Sequence, residues 1–423
     1  MGTATMFDAI DALMIAYIMP VLIPLWGISP AAIGPLLSIS YVGQLLGAIV
    51  FGSVADKIGR KKTLVIAILV MGCMSLVCAF AYSYTSLLVF RFVQGFGLGG
   101  EMPVAGTYIN EWSKAKGRGP FFVLYESVFI VGMLIAALLS VVMIPNLGWQ
   151  SMFVLGAVPA LIVPIFIRKF PESPRFLINK GRIDEAETAI IQLEKETVER
   201  YQKELPAVVA VAAPNLNDTK MRVSELFSKM YAKRTIAIWL IMFCFQLINY
   251  GIQTWLPTLY TSQFGLVTQQ ALLRSMTVNL ISLCATVIAG LIIDKVGRKV
   301  ILGVCFGGAT VVFAALAFTG VHDANTLFLY TCLYGIFTPV AAIVYLYGPE
   351  LYPTRMRSFG FSTATGWMRV GAAIGPTMVG SIVANYSMGS AFMVLGIFAI
   401  VGLFVTVFIA IETKNRVLEE VSP

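Results

Sequence analysis

Charge is scarce in this chain. Only 12% of its 423 residues are charged and a single residue is histidine, whereas 58% are apolar. The mean hydropathy is +0.83. Soluble domains carry roughly 45–50% apolar and ~25% charged residues, so a soluble enzyme, a large soluble domain and disorder over most of the chain are excluded. The six cysteines (Cys73, Cys78, Cys244, Cys284, Cys305 and Cys332) sit inside apolar stretches without metal-ligand spacing. They are expected to be small core hydrophobes, and no metal site, cofactor or nucleic-acid partner is expected. No GxxxxGK[ST] loop occurs, which argues against direct ATP drive. Met1–Thr5 lacks a positive n-region, and the run that follows is too long and too acidic for a signal peptide, so it reads as a first membrane span. So abrupt a start suggests that a short native N-terminal segment is missing.

Long apolar runs fill the rest. A crossing needs ~20 mostly apolar residues, and such stretches fall at about 6–25, 32–54, 63–81, 86–109, 120–142 and 149–168. After a polar insertion they resume at about 235–256, 272–293, 300–319, 325–347, 358–384 and 389–411. Backbone polar groups must be paired in lipid, and the alternation of a barrel strand is missing, so these runs are helices.

Lysine and arginine mark one side. The gaps holding "ADKIGRKK", "EWSKAKGRG", "DKVGRK" and "PTRMRS" are basic. The intervening gaps carry no lysine or arginine, and His322 and Asp323 are the only titratable groups in one of them. The positive-inside rule places the basic gaps and both termini in the cytoplasm, and that parity agrees with twelve spans. The expected organisation is a six-helix bundle over 1–168, a cytoplasmic insertion over 169–234, a second six-helix bundle over 235–411 and a tail over 412–423. Within the insertion, Ile183, Ala186, Ile190 and Leu193 recur at helical spacing, predicting an amphipathic helix before a flexible linker. Asn217 opens a glycosylation pattern, but on the cytoplasmic side it is expected to be unmodified.

The chain repeats itself. "GSVADKIGRKK" from Gly52 matches "GLIIDKVGRKV" from Gly290; Glu111 and Arg118 match Glu350 and Arg357 at nearly the same offset; "PESPR" is echoed by "ETKNR". Two homologous halves of this kind can rock about a central site. With "RFVQGFGLGGEMPVAG" and "GPELYPTRMRSFGFS", these motifs resemble the major facilitator superfamily over essentially the full length. They resemble its branch of sugar porters, aromatic-acid and other metabolite:proton symporters, nicotinate carriers and organic ion transporters. The resemblance implies a cytoplasmic latch of Asp56, Gly59, Arg60, Glu111 and Arg118, with Asp294, Gly297, Arg298, Glu350 and Arg357 in the second half. Gly59 and Gly297 permit a tight turn, and charge pairs formed in only one state bias a two-state equilibrium.

A charge within a span costs ~2.5–3.5 kcal/mol on insertion scales, so each needs a reason. Asp8 and Asp11, three apart, share a helix face. Asp8 is either a coupling group or only a helix N-terminal charge. Arg91 matches the family's fourth-span arginine, which faces a first-span acid, and Asp11 is the position that corresponds to that acid. Glu101 and Glu126 belong either to the proton path or to structural hydrogen bonds. Glycines 95, 97, 99 and 100 let a helix approach closely. Arg369, near the middle of span eleven among Gly366, Gly371 and Gly375, must face a cavity or a carboxylate. It either clamps a substrate carboxylate or pairs with Glu126 or Glu101. Arg274 near the end of span eight can snorkel and is assigned no role.

Gln246, Asn249, Tyr250 and Gln253 put amides and an aromatic on one face of span seven, near Trp255. Gln94, Tyr125, Tyr345 and Trp367 complete the expected substrate site, with Tyr334 and Tyr347 nearby. The expected function is secondary transport of a small organic anion, since "FQLINYG" in span seven resembles the sugar porters only in part, with protons as the coupling ion and a functional monomer in the cell membrane. A sugar or polyol porter, an organic cation or drug carrier, and a non-transporting scaffold are the alternatives. Uptake versus export and H⁺ versus Na⁺ stay open.

Overall fold

The structure, a computed structural model, describes residues 2–112, 118–167, 170–201 and 223–414. Its first six long helices are α1 (Gly2–Trp26), α2 (Pro30–Ile58), α3 (Arg60–Ala79), α4 (Tyr84–Trp112), α5 (Arg118–Leu147) and α6 (Gln150–Ile167). Two polar-region helices follow, α7 (Pro174–Asn179) and α8 (Ile183–Tyr201). The second set comprises α9 (Ala232–Gln253), α10 (Leu256–Phe264), α11 (Thr268–Val296), α12 (Arg298–Thr319), α13 (Ala324–Ile336), α14 (Val340–Glu350), α15 (Thr354–Asn385) and α16 (Met388–Phe404), the last continuing as a π turn over Val405–Ile409. Among the described residues, ten helical segments are long and apolar enough to cross a membrane; α4 and α15, of 29 and 32 residues, complete a set of twelve.

Polarity is inside out. Leu291, Phe318 and Phe408 are exposed, whereas Asp11, Arg91 and Glu101 are buried. That is the distribution a lipid-facing exterior requires. It also corrects the reading of the cysteines. Cys78, Cys244 and Cys305 are buried, but Cys73 and Cys284 face outward, because an outer face in lipid accepts the same small apolar residues as a core.

Spans seven and ten depart from the continuous helices expected over 235–256 and 325–347. Each is broken by proline, which has no N–H to donate and crowds the preceding turn. Pro257 follows the break between α9 and α10, and Pro339 stands between α13 and α14. The hydroxyl of Thr338 donates to Gly335 O at 2.7 Å, taking up the carbonyl that Pro339 leaves without a donor.

The two sets are built alike. On α5, a Cβ at Gly132 would meet the backbone oxygen of Met6 on α1; on α15, one at Gly371 would come within 2.5 Å of the Phe243 oxygen on α9. Gly43 and Gly47 of α2 interlock with Gly95 and Gly99 of α4 in the same backbone-to-backbone manner, as the glycine run suggested. Between the sets, α2 lies on α15, α5 on α11 and α1 on α10. In the polar region α8 is helical as expected, but among its described side chains only Ala186 and Ala189 are buried. Ile183, Ile190 and Leu193 are exposed; among the described residues the principal neighbour of α8 is the short α7, which covers little of it. Asn217 lies outside the described residues.

Candidate functional site

Three buried side chains join α1 to α4. Arg91 Nη1 donates to Asp11 Oδ2 at 3.1 Å and to Gln94 Oε1 at 2.8 Å. Gln94 Nε2 donates to Asp11 Oδ1. Residues 91 and 94 are three apart, so one face of α4 carries both. The Asp11–Arg91 pair expected from the sequence is therefore present, with side chains 2% and 1% exposed. Gln94 was placed at the substrate; it is instead the third member of this cluster, since both its polar atoms are spent on Asp11 and Arg91.

A central cavity lies beside the cluster. Its empty space is about 1210 Å³, counted out to its open side. Gln246, Asn249, Tyr250 and Gln253 line it from α9, Asp8 from α1, Tyr345 from α14 and Arg369 from α15, so most of the expected binding residues are brought together. Tyr41, Gln44, Phe129, Phe245, Asn279 and Met368 join them. Tyr41 and Tyr250 meet edge to face, with ring centroids 4.7 Å apart. Arg369 is buried, and among the described residues it has no hydrogen bond or ion pair. Glu101 does not reach it; Glu101 is buried beside Asp8.

Several expected residues lie elsewhere. Trp367 is on the outer face of α15, stacked near Trp239 at 5.7 Å. Tyr334 packs on Phe313, and Tyr347 OH donates to Ile411 O at 2.7 Å. The side chains of Glu111, Arg118, Tyr125 and Glu126 lie outside the described residues. Arg274, given no role, is a clasp: its guanidinium donates to Ala324 O at 2.6 Å and Asn325 Oδ1 at 2.8 Å and lies over the rings of Tyr260 and Phe328.

At the basic end, single glycines turn α2 into α3 and α11 into α12, with φ of 103° at Gly59 and 110° at Gly297. Asp56 pairs with Arg60 at 3.1 Å and Asp294 with Arg298 at 2.9 Å. Arg298 also reaches Glu350 at 3.4 Å, and Glu350 accepts from Thr413 Oγ1 at 2.5 Å. Arg357 Nε donates to Tyr352 O at 3.4 Å. Two further carboxylates were not singled out by sequence reasoning. Glu172 accepts from the backbone N–H groups of Arg60 and Lys61, and Glu412 from those of Arg298 and Lys299. They are the glutamates of "PESPR" and "ETKNR", so the weak echo in the repeat was the available signal.

The other end of the cavity is closed. Tyr17 OH accepts from Asn279 Nδ2 at 3.0 Å, joining α1 to α11. Thr377 Oγ1 donates to Ser38 Oγ at 2.8 Å, and Trp255 Nε1 to Pro376 O at 2.8 Å. Gly34 lies so close to α15 that a Cβ would stand 2.7 Å from Thr377 Cα.

Two pseudo-equivalent sets of spanning helices, ionic groups held away from lipid and a largely apolar cavity carrying a few polar and charged side chains define a multi-pass membrane transporter, not an enzyme. The chain belongs to the sugar (and other) transporter family of the major facilitator superfamily, whose model matches residues 27–423. It is 34% identical to the niacin transporter NiaP of Acinetobacter baylyi, over 99% of this chain and 94% of that protein. It is 30% identical to the 4-hydroxybenzoate transporter PcaK of the same organism, over 89% of this chain and 82% of PcaK. To the benzoate transport protein of that organism it is 28% identical, over 99% and 89%. Among solved structures, the xylose transporter XylE of E. coli in a partially occluded inward-open conformation matches with a TM-score of 0.75 and 18% identity, covering 98% of this chain and 97% of XylE, a likeness of fold.

Proposed function

We propose that the chain is a proton-coupled carrier of a small organic anion in the cell membrane, working as a monomer with both termini in the cytoplasm. The observation that carries the reading is Arg369, a guanidinium buried in α15, lining the cavity and without an ionic partner among the described residues. A buried cation is costly until an anion meets it, and a planar fork suits a carboxylate. The names of the relatives, transporters of niacin, benzoate and 4-hydroxybenzoate, support the same class. In this reading the helical sets over 1–168 and 235–411 rock about the cavity, and the basic-end turns latch the state in which the basic end is closed. Asp11 and Arg91 couple the motion to proton uptake, assisted by Asp8, Glu101 and Glu126. Gln246, Asn249, Tyr250, Gln253 and Tyr345 hold the substrate.

The test is uptake by proteoliposomes of labelled nicotinate, benzoate and xylose, with and without an imposed pH gradient. Concentrative uptake of a carboxylate, lost when the gradient is collapsed and weakened in Arg369→Lys, is expected. Uptake of xylose alone would move the chain to the sugar porters.

A further inference from the structure

A second cavity lies beyond the central one, on the side of the closed end. Its empty space is about 220 Å³, and it is lined by Leu13 and Tyr17 of α1, Leu256 of α10 and Ser275 of α11. Ser275 stands one turn nearer than Asn279 to the start of α11, away from the basic-end turn at Gly297. Gln253 and Asn279 line both cavities, so these two amides form the partition between them. The partition is tied across the molecule. Asn279 Nδ2 donates to Tyr17 OH at 3.0 Å, which joins α11 of the second set to α1 of the first. Both residues are buried. The seal is nevertheless incompletely satisfied. Among the described residues nothing accepts the Tyr17 hydroxyl proton, and the buried Oε1 of Gln253 has no donor. Unmatched buried polar groups are penalised, so this layer is held less firmly than a fully paired one.

Opening this end parts the two helical sets, and the Tyr17–Asn279 bond, which spans them, must then break. The released amide of Asn279 stays at the wall of the central cavity, with a donor left to place. We infer that Asn279 is a side-selective contact for the transported molecule, its amide donating to Tyr17 while this end is closed and to an acceptor oxygen of that molecule while it is open. The cavity then binds more tightly when open at this end. Closure returns the amide to Tyr17 and so loosens the molecule for release at the basic end, because a ligand favours whichever state offers it more contacts. A carboxylate supplies such an oxygen, and so does a sugar hydroxyl. The inference therefore goes beyond the organic-anion reading and does not depend on it.

The experiment is equilibrium binding of labelled nicotinate and labelled xylose to the full chain in lipid nanodiscs, in two trapped forms. Ser38→Cys/Thr377→Cys, joined as a disulfide, holds this end closed, since the two side-chain oxygens stand 2.8 Å apart. Gly34→Trp holds it open, since even a Cβ there meets the backbone of α15. Both forms carry Cys73→Ser and Cys284→Ser, which removes the exposed thiols. In the closed form Tyr17→Phe is expected to bind at least about threefold more tightly, because Asn279 is released while the end stays shut. That gain should vanish in Tyr17→Phe/Asn279→Leu. In the open form Tyr17→Phe should change nothing, and Asn279→Leu should weaken binding at least about threefold. A residue that only holds the helices together would not strengthen binding when its bond is removed. Closed-form Tyr17→Phe that binds no more tightly overturns the inference, even where Gly34→Trp does not fold. A gain that survives Asn279→Leu overturns the assignment to Asn279. An equal loss from Asn279→Leu in both forms overturns the side selectivity. Binding of xylose in place of nicotinate overturns the organic-anion reading alone, and the same comparisons with xylose then decide this inference.

Discussion

Glu412 Oε1 accepts a hydrogen bond of 3.1 Å from the backbone N–H of Arg298, at the first turn of α12. Glu172 Oε1 accepts one of the same length from Arg60 at the first turn of α3. Each carboxylate meets the unpaired N–H groups and positive end of its helix. Each also explains its glycine. A Cβ at Gly297 would stand 2.6 Å from Glu412 Oε2, and one at Gly59 would collide with Glu172.

Glu412→Ala is therefore expected to cost about 1 kcal/mol, the usual price of a lost helix cap. Gly297→Ala should cost more, about 1–3 kcal/mol for the positive φ alone, with the carboxylate collision added. In the double variant the collision is gone, so the two effects should sum to less than their separate costs. Thermal unfolding in detergent of the two single variants and the double variant measures this. Strict additivity would mean that the carboxylate and the glycine are not in contact.

Much of this architecture was legible in the sequence because membrane insertion writes itself into composition. Apolar length, basic gaps and the repeat around Gly59 and Gly297 each report a constraint that acts locally. The amide face of Gln246, Asn249 and Gln253 was legible because polar groups in a span are rare and share a helix face here, whereas the pairing of Asp11 with Arg91 came from the resemblance to the family. What could not be read was direction. Trp367 and Arg369 are two residues apart on α15, and only packing decides that the arginine lines the cavity while the tryptophan faces out beside Trp239. Gln94 was misplaced because nothing in the sequence says which of Asp11 and a substrate receives its amide. Tyr17 with Asn279 was invisible, since the bond joins distant residues of ordinary type.

The closed end depends on the absence of a side chain at Gly34. Backbone atoms of α15 already occupy the space a Cβ would need, with Pro376 O at 2.9 Å. Gly34→Val should keep this end from closing and shift the population toward the conformer open there. A cysteine at Ser275, buried near Tyr17 and Asn279, reports the change in a background with Cys73 and Cys284 replaced by serine. Membrane-impermeant maleimide should label it faster in Gly34→Val. Unchanged labelling would mean that α2 and α15 separate without regard to this contact.

Thr338 should matter more than an ordinary span threonine. Its hydroxyl is the donor to Gly335 O beside the Pro339 break. Thr338→Val, nearly the same shape, leaves that carbonyl without its donor and should cost about 1–3 kcal/mol. Thr338→Ser keeps the hydroxyl and should retain most of the stability. Equal melting temperatures for the valine and serine variants would show that the carbonyl finds another donor.

The last prediction separates the two buried arginines by what each loses. Arg91 is bonded to Asp11 and Gln94 within the protein, so Asp11→Asn removes the charge that compensates it. Breaking one partner of a buried pair costs about 3–5 kcal/mol, and the variant should melt at a markedly lower temperature. Arg91→Gln alone should be similarly damaging, whereas the double variant, with no charge left in the cluster, should recover part of the loss. Arg369 has no partner among the described residues to strand, so Arg369→Lys should leave melting nearly unchanged and act on the ligand instead. It should weaken carboxylate binding by about tenfold, because a point charge replaces a bidentate fork. If Asp11 also carries the coupling proton, Asp11→Asn protein that folds should exchange substrate in counterflow yet fail to accumulate it under a pH gradient. Melting, binding and gradient-driven uptake of the same four variants decide the matter. Intact accumulation by Asp11→Asn would remove it from the proton path, and destabilisation without a binding defect in Arg369→Lys would make that arginine a structural charge.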